Sequence, residues 1–243
     1  MSKLIVFNWK MNPRKLAEAI SLAKVSDRKH VVVAPPFIFI EEIQKVLKRG
    51  AIGAQDIFWQ NPPSGGGAFT GEISGSELKA LGAKYVIIGH SERRHKMGET
   101  DAIIARKVKT ALDVGLIPIL CIGETATERE LKQTYEVLER QLLVDLSLLP
   151  KVSSRVILLV AYEPVWAIGS GTPETPASAQ ATAHFIKGFV YKHFKLKSKI
   201  LYGGSVTSQN IKKYLNYKEV DGALIGGASL HLDEIKKIVA AIK

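Results

Sequence analysis

The sequence lacks several features that mark disulfide-rich and membrane proteins. Cys121 is its one cysteine in 243 residues, so no disulfide can form within the chain, and we expect a reducing, cytoplasmic location. Because Cys121 lies in an apolar run, we predict a buried side chain rather than a reactive nucleophile. No apolar run reaches the ~18 residues that a membrane span needs. The N-terminal apolar run closes at Asn8 and Lys10 and does not resemble a signal peptide.

Acidic residues are outnumbered, with 23 Asp and Glu against 34 Lys and Arg, which gives a net charge of +11. Such a balance attracts anions, whether nucleic acid, anionic membrane or phosphorylated metabolites. The lysines are spread along helical patterns, and no dense basic run with interleaved aromatic residues stands out. We therefore interpret the charge as solvated helix faces and expect neither a nucleic-acid nor a membrane partner.

Short apolar runs alternate with helical patterns from one end of the chain to the other. The runs are rich in β-branched residues and do not alternate with polar ones, which is typical of strands buried on both faces. Strands are predicted at 3–7, 31–34, 51–54, 85–88, 117–122, 155–160, 200–202 and 222–225. Helices are predicted at 14–24, 40–48, 75–81, 100–114, 126–146, 176–194, 208–215 and 231–242. Eight such units in about 250 residues predict one α/β domain over residues 1–243, a (β/α)8 barrel rather than an open doubly wound sheet.

Active sites of such barrels lie at the C-terminal ends of the strands. Asn8 and Lys10 follow the first predicted strand, His90 follows the fourth and Glu163 follows the sixth. A carboxylate can abstract a proton next to a carbonyl, a neutral imidazole can donate to the enolate oxygen, and an ammonium can stabilise negative charge. Each residue alone has an ordinary structural explanation, but together they predict a catalytic site.

Glycine pairs follow the last two strands, as Gly203-Gly204-Ser205 and Gly226-Gly227. Such pairs let backbone N–H groups approach an anion closely, although glycine also serves tight turns. A phosphate site after strands 7 and 8 recurs in this fold. The placement therefore favours a phosphorylated ligand.

The chain resembles triosephosphate isomerase, the family that gives the TIM barrel its name, over essentially its whole length. The matching stretches follow the family's order along the chain. They are Asn8-Trp9-Lys10-Met11-Asn12, Gly67-Ala68-Phe69-Thr70-Gly71-Glu72, Ile88-Gly89-His90-Ser91-Glu92-Arg93-Arg94, Cys121-Ile122-Gly123-Glu124, Ala161 through Gly171, Tyr202-Gly203-Gly204-Ser205-Val206 and Ile225-Gly226-Gly227-Ala228-Ser229.

The resemblance implies a role for each catalytic candidate. Glu163 would move a proton between two substrate carbons, and His90 would be the electrophile, kept neutral by a short helix that starts at Ser91. Lys10 would neutralise charge, Asn8 would orient the substrate, and Glu92 would support Lys10. The reaction would interconvert D-glyceraldehyde 3-phosphate and dihydroxyacetone phosphate in glycolysis and gluconeogenesis, without cofactor or metal.

The same resemblance implies a phosphate cradle. The substrate phosphate would rest on the backbone of Gly169, Ser205, Gly226 and Gly227, with Tyr202 behind them. The +11 charge would help to draw in this dianion.

Residues 164–174 resemble a lid that closes over the ligand and excludes water. Trp166 supplies an apolar handle, and Gly169 and Gly171 supply backbone freedom. At the far hinge, Thr172-Pro173-Glu174 replaces a basic or small residue followed by Thr and Ala. Because proline restricts the backbone, we expect slower or narrower lid opening.

The loop at 56–67 looks about four residues longer than in the family. The resemblance implies a homodimer in which this loop inserts into the partner subunit and Thr70 reaches the neighbouring site. Phe58 and Trp59 beside a Pro/Gly-rich tip suggest a protruding apolar anchor, and the alternative is a mobile surface insertion.

Two other functions compete with this interpretation. A metal-dependent sugar-phosphate epimerase would share the phosphate site but needs several His and Asp ligands at strand ends, where His90 is the one histidine. A non-catalytic nucleic-acid-binding protein would fit the +11 charge but would leave Glu163, His90 and Lys10 unexplained.

Overall fold

A computed structural model of the chain describes residues 2–62, 66–149 and 157–242. Within these residues, eight parallel strands form a closed barrel in the order β1 to β8, which confirms the predicted (β/α)8 fold. The strands are β1 (Leu4–Asn8), β2 (Val31–Ala34), β3 (Ala51–Ala54), β4 (Tyr85–Ile88), β5 (Ile117–Ile122), β6 (Ile157–Tyr162), β7 (Lys197–Tyr202) and β8 (Val220–Ile225). The start of the sixth predicted strand, residues 155–156, lies outside the described residues.

Helices surround the barrel. They are α1 (Leu16–Ser26), α2 (Ile40–Val46), α3 (Gly75–Ala80), α4 (Ser91–Lys96), α5 (Asp101–Asp113), α6 (Ala126–Glu130), α7 (Thr134–Asp145), α8 (Pro176–Phe194), α9 (Ile211–Leu215) and α10 (Leu232–Ala240). Short 3-10 turns occupy Phe37–Phe39, Val165–Ala167 and Gly227–Leu230. In the described part of the chain, no helix is long and apolar enough to cross a membrane.

Local signals place several helix ends. Ser74 and Glu77 form a reciprocal capping box at α3, and the hydroxyl of Thr100 accepts the N–H of Ile103 at α5. Gly115 follows α5 with a φ of 75°, a conformation that L side chains disfavour. Helices α3 and α5 end within one residue of their predicted bounds.

The predicted helix over 126–146 is wrong, because the structure divides it into α6 and α7. The break is at Lys132, whose φ of 59° lies in the left-handed region. Thr125 and Glu128 cap α6 with their own box. A left-handed lysine costs on the order of 1 kcal/mol, and no glycine or proline marks the break in the sequence.

Other bounds also differ from the predicted ones. The predicted helix over 208–215 starts only at Ile211, because Thr207 and Asn210 first form a turn. Strand β7 starts three residues early, at Lys197, where it pairs with Ile157 of β6. The start of β7 is set by its pairing with β6, and the local sequence gives no sign of that pairing.

The core has two layers, since alternate residues of each strand point to opposite sides. Val6 and Leu224 belong to a cluster inside the barrel, whereas Ile5 and Phe7 belong to the larger layer between barrel and helices. Cys121 lies in the inner cluster and is buried, which confirms its prediction. Burial raises the pKa of its thiol, so the inert thiol form is favoured.

Candidate active site

The carboxylate of Glu163 lies at the C-terminal end of β6 and is 2% exposed. Its backbone N–H donates to Ile122 O at 2.8 Å, which ties the residue to β5. One carboxylate oxygen, Oε2, accepts the backbone N–H of Ser91 at 2.9 Å. The other, Oε1, lies 3.2 Å from Nε2 of His90. Glu163 is thus buried with a defined orientation, as a proton-abstracting group requires.

His90 ends the turn after β4 and is the N-cap of α4. Its Nδ1 accepts the backbone N–H of Glu92 at 3.2 Å, so the ring proton is assigned to Nε2. The ring therefore presents an Nε2–H donor to the cavity, and α4 is the short helix that the family resemblance implied.

Lys10 has a φ of 53°, a strained conformation that is concentrated at functional sites. Two amides hold it: its N–H donates to Asn8 Oδ1 at 3.0 Å, and its carbonyl accepts from Gln55 at 2.8 Å. Its ammonium lies 2.9 Å from Glu92 Oε1. Partial burial acts to raise the pKa of Glu92, but the hydrogen bond and charge of Lys10 hold it below its usual value. Glu92 therefore contacts Lys10, and its role as a support for Lys10 stays a prediction.

The glycine-rich turns after β7 and β8 form the opposite wall. A Cβ at Gly204 would lie 2.3 Å from the hydroxyl oxygen of Tyr202, so glycine there lets the turn pack on Tyr202. A Cβ at Gly226 would lie 3.3 Å from Lys10 Cε, which brings this turn against the cationic side chain. Gly227 begins a 3-10 turn and faces open space. These turns leave room for an anion near the ammonium.

One cavity of about 470 Å³ joins these groups. All the residues predicted to act on or bind the substrate line it, namely Asn8, Lys10, His90, Glu163, Gly169, Ser205, Gly226 and Gly227. Tyr202 lies behind the wall and accepts the Glu174 N–H at 3.1 Å. Thr70 does not line the cavity; it is exposed in a turn.

The predicted lid contributes Ile168, Gly169, Gly171 and Pro173 to the cavity wall. Gly169 and Gly171 have φ angles of 68° and 73°, so the tip uses the freedom that the sequence predicted. Ser205 Oγ donates to the lid carbonyl of Ala167 at 2.7 Å. The segment therefore contacts the phosphate-cradle turn directly.

Several groups at the site carry no signal that we recognised in the sequence. The amide of Gln141 bonds both the N–H and the carbonyl of Gly123, at 2.9 and 3.2 Å. Glu124, part of a matching motif but given no role, is fully buried and accepts from Trp166 Nε1 at 3.0 Å. Arg129 stacks on the Trp166 ring at 4.4 Å. Their partners are distant in sequence, so spacing could not reveal them.

The aromatic side chains of the loop after β3 pack on their own chain and do not protrude freely. Phe58 and Trp59 are half-buried, because Phe58 packs on Phe69 with ring centroids 4.8 Å apart and Arg106 covers Trp59 at 5.0 Å. The tip of the loop, residues 63–65, lies outside the described residues. Among the described residues, no group of three or more His, Cys, Asp or Glu is placed to hold a metal ion.

Comparison with known proteins assigns the family. The family model described as triosephosphate isomerase matches residues 3–242. The triosephosphate isomerase of Acidithiobacillus ferrooxidans is 42% identical over 249 aligned positions, covering 98% of this chain and 95% of that protein. The enzyme of the same name from Dictyoglomus thermophilum is 43% identical over 98% of both chains, and that from Aquifex aeolicus is 39% identical over 98% and 99%. The chain therefore belongs to the triosephosphate isomerase family.

Proposed function

We propose that this chain interconverts D-glyceraldehyde 3-phosphate and dihydroxyacetone phosphate through an enediolate, as a step of glycolysis and gluconeogenesis. The observation that carries the proposal is the convergence of Glu163, His90 and Lys10 on one cavity whose far wall is glycine-rich. The family match is its second support. A cytoplasmic location stays a prediction from the sequence.

The proton transfer uses three side chains of this cavity. Glu163 removes a proton from the carbon next to the substrate carbonyl, while the Nε2–H of His90 donates to the carbonyl oxygen as negative charge develops there. The protonated Glu163 returns the proton to the neighbouring carbon, which exchanges aldehyde and ketone. Lys10 stabilises the enediolate and the phosphate. No step of this mechanism draws on a metal or a cofactor.

The geometry indicates how substrate activates the base. Glu163 Oε1 faces His90 Nε2 at 3.2 Å, and a bound carbonyl oxygen would take over this imidazole donor. Oε1 would then be free to approach the substrate carbon. Lid closure over residues 164–174 would exclude water and strengthen each of these electrostatic contacts. It would also protect the enediolate from loss of its phosphate.

The phosphate binds the glycine-rich wall in this proposal. Gly169, Ser205, Gly226 and Gly227 offer backbone N–H groups, and Lys10 lies beside Gly226. Backbone donors of this kind bind phosphate oxygens without bulky side chains. The net charge of +11 raises the encounter rate with a dianion at low ionic strength.

A coupled assay for dihydroxyacetone phosphate tests the reaction. Turnover should be high without added metal, and Glu163→Gln should lower kcat by about 10³-fold or more, because the amide cannot accept the proton. Glu136→Gln is the matched control, since Glu136 is an exposed carboxylate on α7, and its kcat should stay at the wild-type value. Equal activity of the two variants, with circular dichroism unchanged, would refute the mechanism.

We also propose a homodimer through the loop after β3, with Thr70 reaching the partner's cavity. Met11 is 90% and Met97 is 65% exposed. Met11 lies near the root of this loop, because Gln55, directly after β3, donates to the carbonyl of Lys10 beside it, and Met97 ends α4. Exposed large apolar side chains favour an interface. Sedimentation at micromolar concentration should give a dimer, and a monomer would contradict this proposal.

A further inference from the structure

Glu174 is a buried carboxylate at the C-terminal end of the lid, where alanine is common in the family. Its side chain is 1% exposed. Its N–H donates to the hydroxyl of Tyr202 at 3.1 Å, and its carbonyl accepts the hydroxyl of Tyr214 at 2.5 Å. The backbone of this lid end is therefore fixed to the barrel by two tyrosines.

The carboxylate of Glu174 pairs with a residue outside the lid. Oε1 accepts from Ser178 Oγ at 2.7 Å and lies 3.1 Å from Nη1 of Arg129. Burial raises the pKa of this carboxyl above its usual value, although Ser178 and Arg129 act against that effect. Removing one partner of a buried ion pair is destabilising, because it leaves the other charge without its partner.

The opposite end of the lid meets the same guanidinium. Arg129 stacks over the ring of Trp166 at 4.4 Å, and its Nη1 lies 3.2 Å from Glu124 Oε1. Trp166 Nε1 donates to that same Glu124 oxygen at 3.0 Å. Trp166 is thus held between a cation above its ring and a carboxylate at its edge.

We propose that Glu174 is a positioning residue that couples the two ends of the lid through Arg129. By holding the guanidinium between itself and Glu124, the carboxylate fixes the surface on which Trp166 rests. The charge on Glu174 thereby sets the population of the lid conformer seen in this structure. The inference rests on the proposed function in one respect, that residues 164–174 move as a lid.

A loss of charge at position 174 has a defined consequence. The amide of Glu174→Gln keeps the shape and one acceptor but binds the guanidinium as a neutral partner. Because the guanidinium stays charged, the substitution removes the ion–ion attraction and leaves a hydrogen bond, a loss of about 1 kcal/mol, which is about fivefold in an equilibrium constant. The conformer with Trp166 held between Arg129 and Glu124 should lose population by about that factor.

The experiment follows the lid by fluorine NMR of the full chain grown with 5-fluorotryptophan. The chain has three tryptophans, and Trp166→Phe assigns the lid signal. Relaxation dispersion and chemical shift are compared for wild type, Glu174→Gln and Glu174→Ala. The alanine variant removes the buried carboxylate and leaves no amide in its place. It is the second variant to measure if the glutamine variant is unstable.

Glu128→Gln is the matched control. It removes a carboxylate beside Arg129 on α6 while keeping a capping acceptor, because Glu128 bonds the N–H of Thr125 and not the guanidinium. The control should leave the Trp166 signal, kcat and KM as in wild type. The two Glu174 variants should shift the Trp166 exchange populations and change kcat and KM by unequal factors.

The outcomes separate the inference from the function. If the wild-type enzyme shows exchange at Trp166 and both Glu174 variants show the same exchange, the role of Glu174 is overturned. The isomerase proposal is then unaffected. A Trp166 signal without exchange in active wild-type enzyme overturns the lid and, with it, this inference. If the wild-type enzyme shows no Glu163-dependent reaction in the coupled assay, that result counts against the proposed function alone.

Discussion

Gly203, directly after β7, leaves the space in which the side chain of Glu163 lies. A Cβ at this position would meet Glu163 Cγ at 2.8 Å and Tyr162 O at 3.2 Å. Carbon atoms pack at about 3.5–4.0 Å. In Gly203→Ala the methylene of Glu163 therefore has to move by about 0.7–1.2 Å, which displaces its carboxylate from Ser91 and His90.

The size of the kinetic effect follows from this displacement. A misplacement of about 1 Å in a reacting group costs about 10²-fold in rate. We therefore expect Gly203→Ala to lower kcat by about 30- to 100-fold, while KM changes by less than about threefold because the proposed phosphate donors Gly169, Ser205, Gly226 and Gly227 are not substituted. Crowding should also lower the free energy of unfolding by about 1–3 kcal/mol.

Two other glycines provide comparisons for the same assay, one in the cavity wall and one on an outer helix. A Cβ at Gly227 meets nothing within 4 Å but points into the region that would hold the phosphate, so Gly227→Ala should raise KM more than it lowers kcat. Gly188 lies within α8 with open space around it, and Gly188→Ala should leave both constants unchanged. A kcat of Gly203→Ala within twofold of wild type would refute the reasoning, because the base would then tolerate the displacement.

Two further predictions concern stability and the lid. Burial acts to raise the pKa of Asp27, but hydrogen bonds from the backbone N–H groups of residues 48–50 hold that pKa below its usual value. This contribution to stability is present above the unfolded pKa and is lost as the pH falls through the folded pKa. Asp27→Asn should lower the free energy of unfolding at pH 7 by about 1 kcal/mol, discounted for solvent exposure, and urea titrations should show the difference shrinking below about pH 4. Pro173→Ala should speed lid exchange several-fold in relaxation-dispersion NMR and alter turnover, because it frees a restricted φ angle; identical rates would contradict a restricting hinge.

The sequence predicted the barrel because strands buried on both faces consist of continuous runs of apolar, β-branched residues, which can be recognised in the sequence. Strands β4 and β5 match their predicted bounds, and so does α8, which begins with a capping threonine and Pro176. The break at Lys132 left no such trace. Its left-handed φ accompanies backbone hydrogen bonds that end α6, from Lys132 N–H to Arg129 O and from Gln133 N–H to Glu128 O. No local glycine marks it, so a pattern-based prediction ran through it.

The candidate site was predictable to the extent that fold geometry decides it. Parallel strands in a closed barrel bring all their C-terminal ends to one rim, so Lys10, His90 and Glu163 had to be neighbours once the fold was known. The bonds between them were not predictable. The contact of Glu163 with the Ser91 N–H, and the strained φ of Lys10, depend on turn conformations that residue types alone do not specify.

The lid lies between two buried carboxylates, and this arrangement links its motion to its chemistry. Glu163 immediately precedes it and contacts His90 and Ser91. Glu174 ends it and contacts Arg129, on which Trp166 rests. A movement of the lid tip must be absorbed by the few residues between these anchors, since both ends are bonded to the barrel. In the proposed mechanism Glu163 and Glu174 would experience the same closure from opposite ends, and a change at either one should alter the other's environment more than its distance along the chain implies.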